Sequence, residues 1–122
     1  TRQSTEILAV KDLELGIALR FIHDNAHRHI QMKDLLRAVP LSRRSLERRF
    51  REVLNCTPAE RIQHERLELA RKLLVRTDQP IGIVAERSGF RGIQRLSETF
   101  RRKTGLTPSE YRTRYRRVSA RL

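Results

Sequence analysis

The stretch Thr57-Pro58-Ala59-Glu60-Arg61-Ile62-Gln63-His64-Glu65-Arg66-Leu67-Glu68-Leu69-Ala70-Arg71-Lys72-Leu73-Leu74-Val75 decides the reading of this chain. It opens as a capping box with proline at the first helical position. The threonine hydroxyl can accept from the third-residue amide, and the glutamate can accept from the cap amide. No glycine or proline follows before Pro80. Ile62, Arg66, Leu69, Ala70 and Leu73 recur at helical spacing, which predicts a buried stripe with Arg61, Glu65, Glu68 and Lys72 in water. A helix from Pro58 to Leu74 would be roughly 25 Å long at about 1.5 Å per residue.

On both sides of this helix the sequence repeats itself. Leu46, Phe50 and Arg51 return as Leu96, Phe100 and Arg101 at an offset of 50, and Thr57-Pro58-Ala59-Glu60 returns as Thr107-Pro108-Ser109-Glu110 at the same offset. Upstream the offset is 49: Met32, Leu35 and Leu36 pair with Ile81, Val84 and Ala85. The second copy therefore carries one more residue between its two apolar segments. Two copies of one unit follow, each a short helix, a tight turn and a second helix, joined by the central helix.

At 122 residues the chain is one domain or two lobes sharing a connector. Lobes of about 50 residues bury only about 60% of their unfolded surface, so the joining helix is expected to supply core to both. Four Phe, two Tyr and no Trp leave the packing to Leu and Ile. No apolar run approaches the roughly 18 residues of a membrane span, and no signal-peptide pattern opens the sequence. The single cysteine, Cys56, excludes an intramolecular disulfide, fits a reducing cytoplasm and reads as a free core thiol.

Charge separates the function classes. Lys and Arg number 27 against 14 Asp and Glu, a net +13. A field of that size favours polyanions, nucleic acid first. The arginines concentrate in the second helix of each repeat and at the C-terminus, which argues against a merely soluble basic surface.

In chain order, 1–6 is a lead-in without periodicity and Ile7 to Asn25 reads as a helix, with Val10, Leu13, Ile17, Ala18, Phe21 and Ile22 on one face. Met32 to Val39 is a short helix, Pro40-Leu41-Ser42 the turn, and Ser42 the N-cap of a helix from Arg43 to Leu54. Arg76 to Pro80 is a loop, Ile81 to Ser88 a short helix, and Gly89 suits a left-handed turn position. Helices from Ile93 to Lys103 and from Thr107 to about Arg117 follow, with a loose arginine-rich tail. The expected fold is all α, about seven helices in two tandem helix-turn-helix units joined by a long central helix. The expected boundaries are a lead-in 1–6, a first unit 7–56, a linker helix 57–75, a second unit 76–117 and a tail 118–122.

In such a unit the first helix braces the second through Leu35 and Leu36 against Leu46 and Phe50. The second helix is then free to enter a major groove about 12 Å wide. Arginine serves there both as a bidentate donor to guanine and as a phosphate clamp. Enzyme readings find no support: there is no glycine-rich phosphate loop, no Gly-x-Ser-x-Gly elbow and no paired CxxC. His23 and His27 stand at metal-ligand spacing beside His29, but no matching carboxylate or cysteine completes a site, so no metal and no cofactor are expected. The rival is a basic helical module that binds an acidic protein partner. It predicts diffuse charge without a repeat.

The motifs Leu41-Ser42-Arg43-Arg44-Ser45-Leu46-Glu47-Arg48-Arg49-Phe50 and Ile83-Val84-Ala85-Glu86-Arg87-Ser88-Gly89-Phe90 resemble the AraC/XylS family of bacterial transcription regulators. Arg66 to Leu74 and Phe100 to Arg112 extend the likeness, which covers about residue 8 to 115. The resemblance implies a seven-helix DNA-binding domain, usually C-terminal to an effector-sensing or dimerising domain, in proteins that typically activate transcription by also touching RNA polymerase. By position it puts Arg44, Ser45, Glu47 and Arg48 of the first reading helix at bases, and Ile93, Gln94, Arg95 and Glu98 of the second. Two positions depart from the family pattern. Pro40 stands where the first turn usually has glycine, and Glu98 stands where arginine is common, a glutamate being able to accept from cytosine N4. The stretch Val39 to Arg43 most resembles the xylose-regulator branch, whose sensing domains look like sugar-binding proteins.

The reading is a sequence-specific DNA-binding transcription regulator, not an enzyme. Arg43, Arg51, Arg101 and Arg102 are expected at phosphates, which position a protein without specifying sequence. The partner is double-stranded DNA, at an asymmetric site across two successive major grooves. RNA polymerase is a second partner and no membrane is expected. The isolated domain is expected to be monomeric, dimerisation belonging to the full-length protein, in a cytoplasmic, nucleoid-associated setting.

Overall fold

The structure is a computed structural model and describes residues 12–120, with side chains up to residue 116. Both capping boxes form. The Thr57 amide donates to Glu60 Oε1 at 2.8 Å and the Glu60 amide donates to Thr57 Oγ1 at 3.1 Å. Thr107 and Glu110 repeat the arrangement at 2.9 and 3.2 Å. The helices they start are α4, Pro58–Arg76, and α7, Pro108–Ala120. The helix-turn-helix of the first unit is α2, Met32–Ala38, and α3, Arg43–Arg49, the latter running on into a π-helical turn, Phe50–Leu54. That of the second is α5, Ile81–Arg87, and α6, Ile93–Thr104. With α1, Leu13–Asn25, this makes seven α-helices and no strand among the described residues.

The extra residue of the second copy sits in its turn. In the first unit Ala38 and Arg43 are separated by Val39 to Ser42, where the Leu41 amide donates to Val39 O across Pro40 at 2.8 Å. This tight three-residue turn needs no left-handed residue, so proline fits it without strain. Ser42 then caps α3, its Oγ accepting from the Ser45 amide at 3.2 Å. The second unit stops α5 differently. Gly89, at φ 94°, donates to Glu86 O and Phe90 donates to Ala85 O, a Schellman arrangement that only a residue tolerant of positive φ can close. Buried Ser88 donates its hydroxyl back to Val84 O at 2.6 Å. At the far ends, left-handed Asn55 and Gly105 occupy matching places after α3 and α6.

Contacts divide the chain into two compact units. One holds the described residues up to Ala26 with Ile30–His64, the other His27–His29 with the described residues from Glu65 on. The boundary falls inside α4. Leu35, Leu46 and Phe50 are fully buried with Leu15, Ala18 and Ile22 of α1 and with Ile62 from the start of α4. Val84, Ala85, Leu96 and Phe100 are buried with Leu67, Ala70 and Leu74 from the rest of α4 and with Tyr111 of α7. The central helix thus supplies core to both units, as their small size requires. In the second unit Tyr111 meets Phe100 edge-on, ring centroids 5.0 Å apart, while Arg71 Nε donates to its hydroxyl at 2.9 Å. Arg112 Nε donates to Leu74 O at 3.0 Å and Arg116 to Thr77 O at 3.3 Å. These two bonds satisfy carbonyls that the end of α4 would leave orphaned.

Several expectations need correction. The first helix is not continuous from Ile7: Asp12 is extended (φ −96°, ψ 94°) and caps α1, its carboxylate accepting from the Leu15 amide at 3.1 Å. Residues 7–11 lie outside the described part. The buried face of α1 is Leu15, Ala18 and Ile22, whereas Leu13 and Ile17 are 76% and 45% exposed. In α4 Ile62 and Ala70 are buried as expected, but the other buried positions are Leu67 and Leu74, each one residue round the helix from the expected Arg66 and Leu73, while Leu69 and Leu73 are half-exposed. A rotation of about 100° per residue moves a side chain from core to rim. Arg61, Glu65 and Glu68 are half-buried rather than wet. The last helix runs to Ala120, so 118–120 is helical rather than loose, and the rest of the tail is outside the described part.

Candidate nucleic-acid interface

The first reading helix is pinned from behind. Arg49 Nη1 reaches Asp12 Oδ1 at 3.0 Å and Glu14 Oε2 at 3.1 Å, and the three side chains are 30%, 24% and 37% exposed. Asp12 therefore holds the start of α1 and the end of α3 together with one carboxylate. With Leu46 and Phe50 in the core, the opposite face of α3 carries Arg43, Arg44, Glu47 and Arg48, all exposed, with Arg51 in the π-helical turn. Arg43 Nε lies 3.4 Å from Glu47 Oε1 across one turn, an exposed pair of small energetic weight. Ser45 is half-buried, its Oγ accepting from Ser42 Oγ at 3.1 Å. Of the expected base contacts on this helix, it is the one turned toward the cap.

The second reading helix begins after Gly92, whose φ of 133° takes the chain into α6 in a conformation that side chains rarely adopt. Ile93 is 51% exposed and lies over Gly82 of α5, where an added Cβ would meet its side chain at 3.4 Å. Gln94, Arg95 and Glu98 are exposed, and Gln94 Nε2 donates to Glu98 Oε1 at 3.4 Å. Arg101, Arg102 and Lys103 are exposed in the last turn, where the helix dipole favours cations.

All the expected base and phosphate residues therefore lie on α3, its π-helical extension or α6. One charged group beside the second reading helix was not among the expected site residues. Arg91 is exposed immediately before Gly92, a cation at the entry to the reading helix whose only sequence signal is its place in the turn. Arg66 of α4 is half-buried and donates from Nη2 to Arg28 O at 2.9 Å; burial, and then the charge of Arg91, pushes its guanidinium below its ordinary pKa. Cys56 is half-buried and its thiol is pushed up, chiefly by burial, which makes it a poor nucleophile at neutral pH. His23, His27 and His29 are exposed, and no group of three or more potential metal ligands occurs among the described residues. No helix there is long and apolar enough to cross a membrane.

Two braced helix pairs, each with a cationic second helix projecting from its core, define a DNA-binding domain with two helix-turn-helix units. Comparison with known proteins gives the same class. A family model described as a helix-turn-helix domain matches residues 35–114, more than half of the chain. The chain is 33% identical over 111 residues to the xylose operon regulatory protein of Escherichia coli (strain K12), covering 91% of this chain and 28% of that protein. It superposes with a TM-score of 0.83 and 29% identity on the DNA-binding domain of the global transcriptional factor AdpA, solved in complex with a target DNA, covering 89% of this chain and 98% of that one. An AraC-type DNA-binding-domain regulator from Chromobacterium violaceum gives 0.82 and 30%, covering 88% and 96%. The chain belongs to the AraC family of helix-turn-helix transcription regulators, which are not enzymes, and it is a domain that binds double-stranded DNA. It spans 28% of the length of the Escherichia coli xylose operon regulatory protein.

Proposed function

We propose that one copy of this domain reads one asymmetric duplex site, placing α3 and α6 in two successive major grooves. The observation that carries the reading is the unlikeness of the two exposed faces. Arg44, Glu47 and Arg48, with half-buried Ser45 at its edge, stand on one, Ile93, Gln94, Arg95 and Glu98 on the other, over closely repeated scaffolds. Two identical subunits read a palindrome because symmetry presents one helix twice; two unlike units in one chain read two unlike halves. Arg44 and Arg48 are the leading base readers, as bidentate donors to guanine; Gln94 and Arg95 are the next base readers, and Arg43, Arg51, Arg101 and Arg102 meet phosphates.

Selection of bound sites from random duplex DNA tests this directly. A non-palindromic consensus with two halves centred about 10 base pairs apart is expected. Inserting about five base pairs between the halves should reduce binding to little more than one unit's share. A palindromic consensus for the monomeric domain would refute the reading. Six to ten phosphate contacts would also cost about 10³ to 10⁵ in affinity between 50 and 200 mM salt, where an acidic-protein module would leave DNA binding weak and its salt response flat.

The same reading places the domain in a longer, sugar-responsive activator, with its likeness to the xylose operon regulatory protein as support. Contact with RNA polymerase, dimerisation through the rest of such a protein and a cytoplasmic setting belong to that reading. Fusion of the domain to a reporter-activation assay, with and without a sugar-sensing partner domain, tests it.

A further inference from the structure

We infer that Glu98 is a positioning residue: it fixes the side-chain amide of Gln94 so that α6 reads adenine, and it does not itself read a base. This rests on the reading of α6 as a DNA-reading helix and goes on to assign a specificity to it.

Gln94 and Glu98 are one turn apart on the exposed face of α6, and Gln94 Nε2 lies 3.4 Å from Glu98 Oε1. A carboxylate only accepts, whereas an amide has one accepting oxygen and two N–H donors. The contact therefore forces the amide nitrogen, not the oxygen, toward Glu98. One N–H is then taken, and what remains is one oxygen acceptor and one N–H donor side by side. Adenine asks for that pair in the major groove: its N6 amino group donates and its N7 accepts. Guanine shows two acceptors, O6 and N7, and would leave the Gln94 oxygen facing a lone pair. A glutamine free to turn its amide discriminates less well between these edges; one held by a carboxylate is committed.

Gln94 lies in the first turn of α6, the part of a reading helix that meets base edges, and Glu98 lies one turn further along. The carboxylate also has a cost, since it faces a polyanion. At 3.4 Å the bond is long in water-exposed form, and it strengthens as the groove excludes water. A held amide also loses less rotamer freedom on binding, an advantage of about 2- to 10-fold per immobilised side chain.

The test is site selection from random duplex DNA with the wild-type chain, followed by affinity measurements on the selected site and on scrambled duplex. Four variants are compared: Gln94→Ala, Glu98→Ala, Glu98→Asp and Arg44→Ala. Gln94→Ala should abolish an adenine preference at one position, a loss of about 5- to 150-fold in discrimination. Glu98→Ala should weaken that same position by about 2- to 10-fold while raising affinity for scrambled DNA, because an anion has been removed. Glu98→Asp keeps the charge and, one methylene shorter, loses the reach; it should weaken the adenine position as Glu98→Ala does and leave scrambled binding at the wild-type level. Arg44→Ala should act on a position in the other half.

Loss of a cytosine preference in Glu98→Ala, at a position Gln94→Ala leaves alone, would overturn the inference and make Glu98 a base reader. Full adenine preference in Glu98→Asp would overturn it too, because the carboxylate would then act by charge alone. If the wild-type chain selects no base in the half that Arg44→Ala leaves untouched, it is the reading of α6 itself that fails.

Discussion

Arg48 and Arg49 are adjacent, and the structure gives them opposite work. Arg48 is exposed, with no ion-pair partner among the described residues, while Arg49 closes onto Asp12 and Glu14. Truncating each to alanine should therefore move different quantities. Arg49→Ala removes two ion pairs whose groups are roughly a quarter to a third exposed, a state between a free surface pair, worth about 0–1 kcal/mol, and a fully buried pair, costing about 3–5 kcal/mol when broken. The carboxylates left behind stay at the start of α1, where the helix dipole favours them, which keeps the cost toward the lower end. About 1–2 kcal/mol is expected, and in a unit this small that lowers Tm by about 5–15 °C. Base preference should survive. Arg48→Ala should leave Tm within about 2 °C, as exposed substitutions do, and cost about 1–3 kcal/mol on the selected site while relaxing one base position. Circular dichroism melts give the first pair of numbers, and fluorescence anisotropy on selected and scrambled duplexes the second. Equal Tm losses in the two variants, or a base preference that follows Arg49 rather than Arg48, would refute the assignment.

Leu74→Asp should unfold the second unit, since it puts a carboxylate at a fully buried position at a cost of several kcal/mol, whereas Leu69→Asp on the half-exposed rim should lower Tm only slightly; equal effects would place the buried stripe of α4 elsewhere. Arg101→Ala should weaken selected and scrambled duplexes by about the same factor and reduce the slope of log affinity on log salt by about one, and a loss confined to the selected duplex would make it a base contact. The backbone and hydroxyl of Thr107 hold the Glu110 carboxyl below its ordinary pKa. A depressed folded value means that the contribution of this cap is complete above the unfolded pKa and is lost as pH falls through the lower folded one. The Thr107 amide resonance should accordingly titrate below the ordinary glutamate range, and a midpoint at the ordinary value would show that the box is not closed in solution.

What was legible in the sequence was whatever depends on neighbours along the chain. Thr57 and Glu60, and Thr107 and Glu110, are three residues apart, and a capping box needs nothing from elsewhere. The turn at Gly89 and the left-handed stop at Gly105 follow from the absence of a Cβ. The rotation of α4 was not legible, because Leu67, Leu69, Leu73 and Leu74 populate two stripes one residue apart and periodicity alone does not choose between them. The choice is made by Val84, Phe100 and Tyr111, which close on Leu67 and Leu74. The break at Asp12 was hidden in the same way. Val10, Leu13, Ile17 and Phe21 keep helical spacing across it, yet Asp12 is held as a cap partly by Arg49, 37 residues away.

The repeat itself separates the parts of the chain that fold from the parts that read. The copies agree at Leu46 and Leu96, Phe50 and Phe100, and Pro58 and Pro108, all fully buried, and also at exposed Arg51 and Arg101 and at the two capping boxes, Thr57 with Glu60 and Thr107 with Glu110. On the outer face of the same two helices they disagree, at Arg44 and Gln94, Ser45 and Arg95, Arg48 and Glu98, and these side chains are exposed or, for Ser45, half-exposed. A buried position is constrained by packing, so two copies of one scaffold converge on the same residue there; an exposed position is constrained only by what it touches. Two copies that met the same half-site would have no physical reason to differ at all three pairs. Their divergence on the outer face, over a shared interior, is what two unlike half-sites would require of one chain.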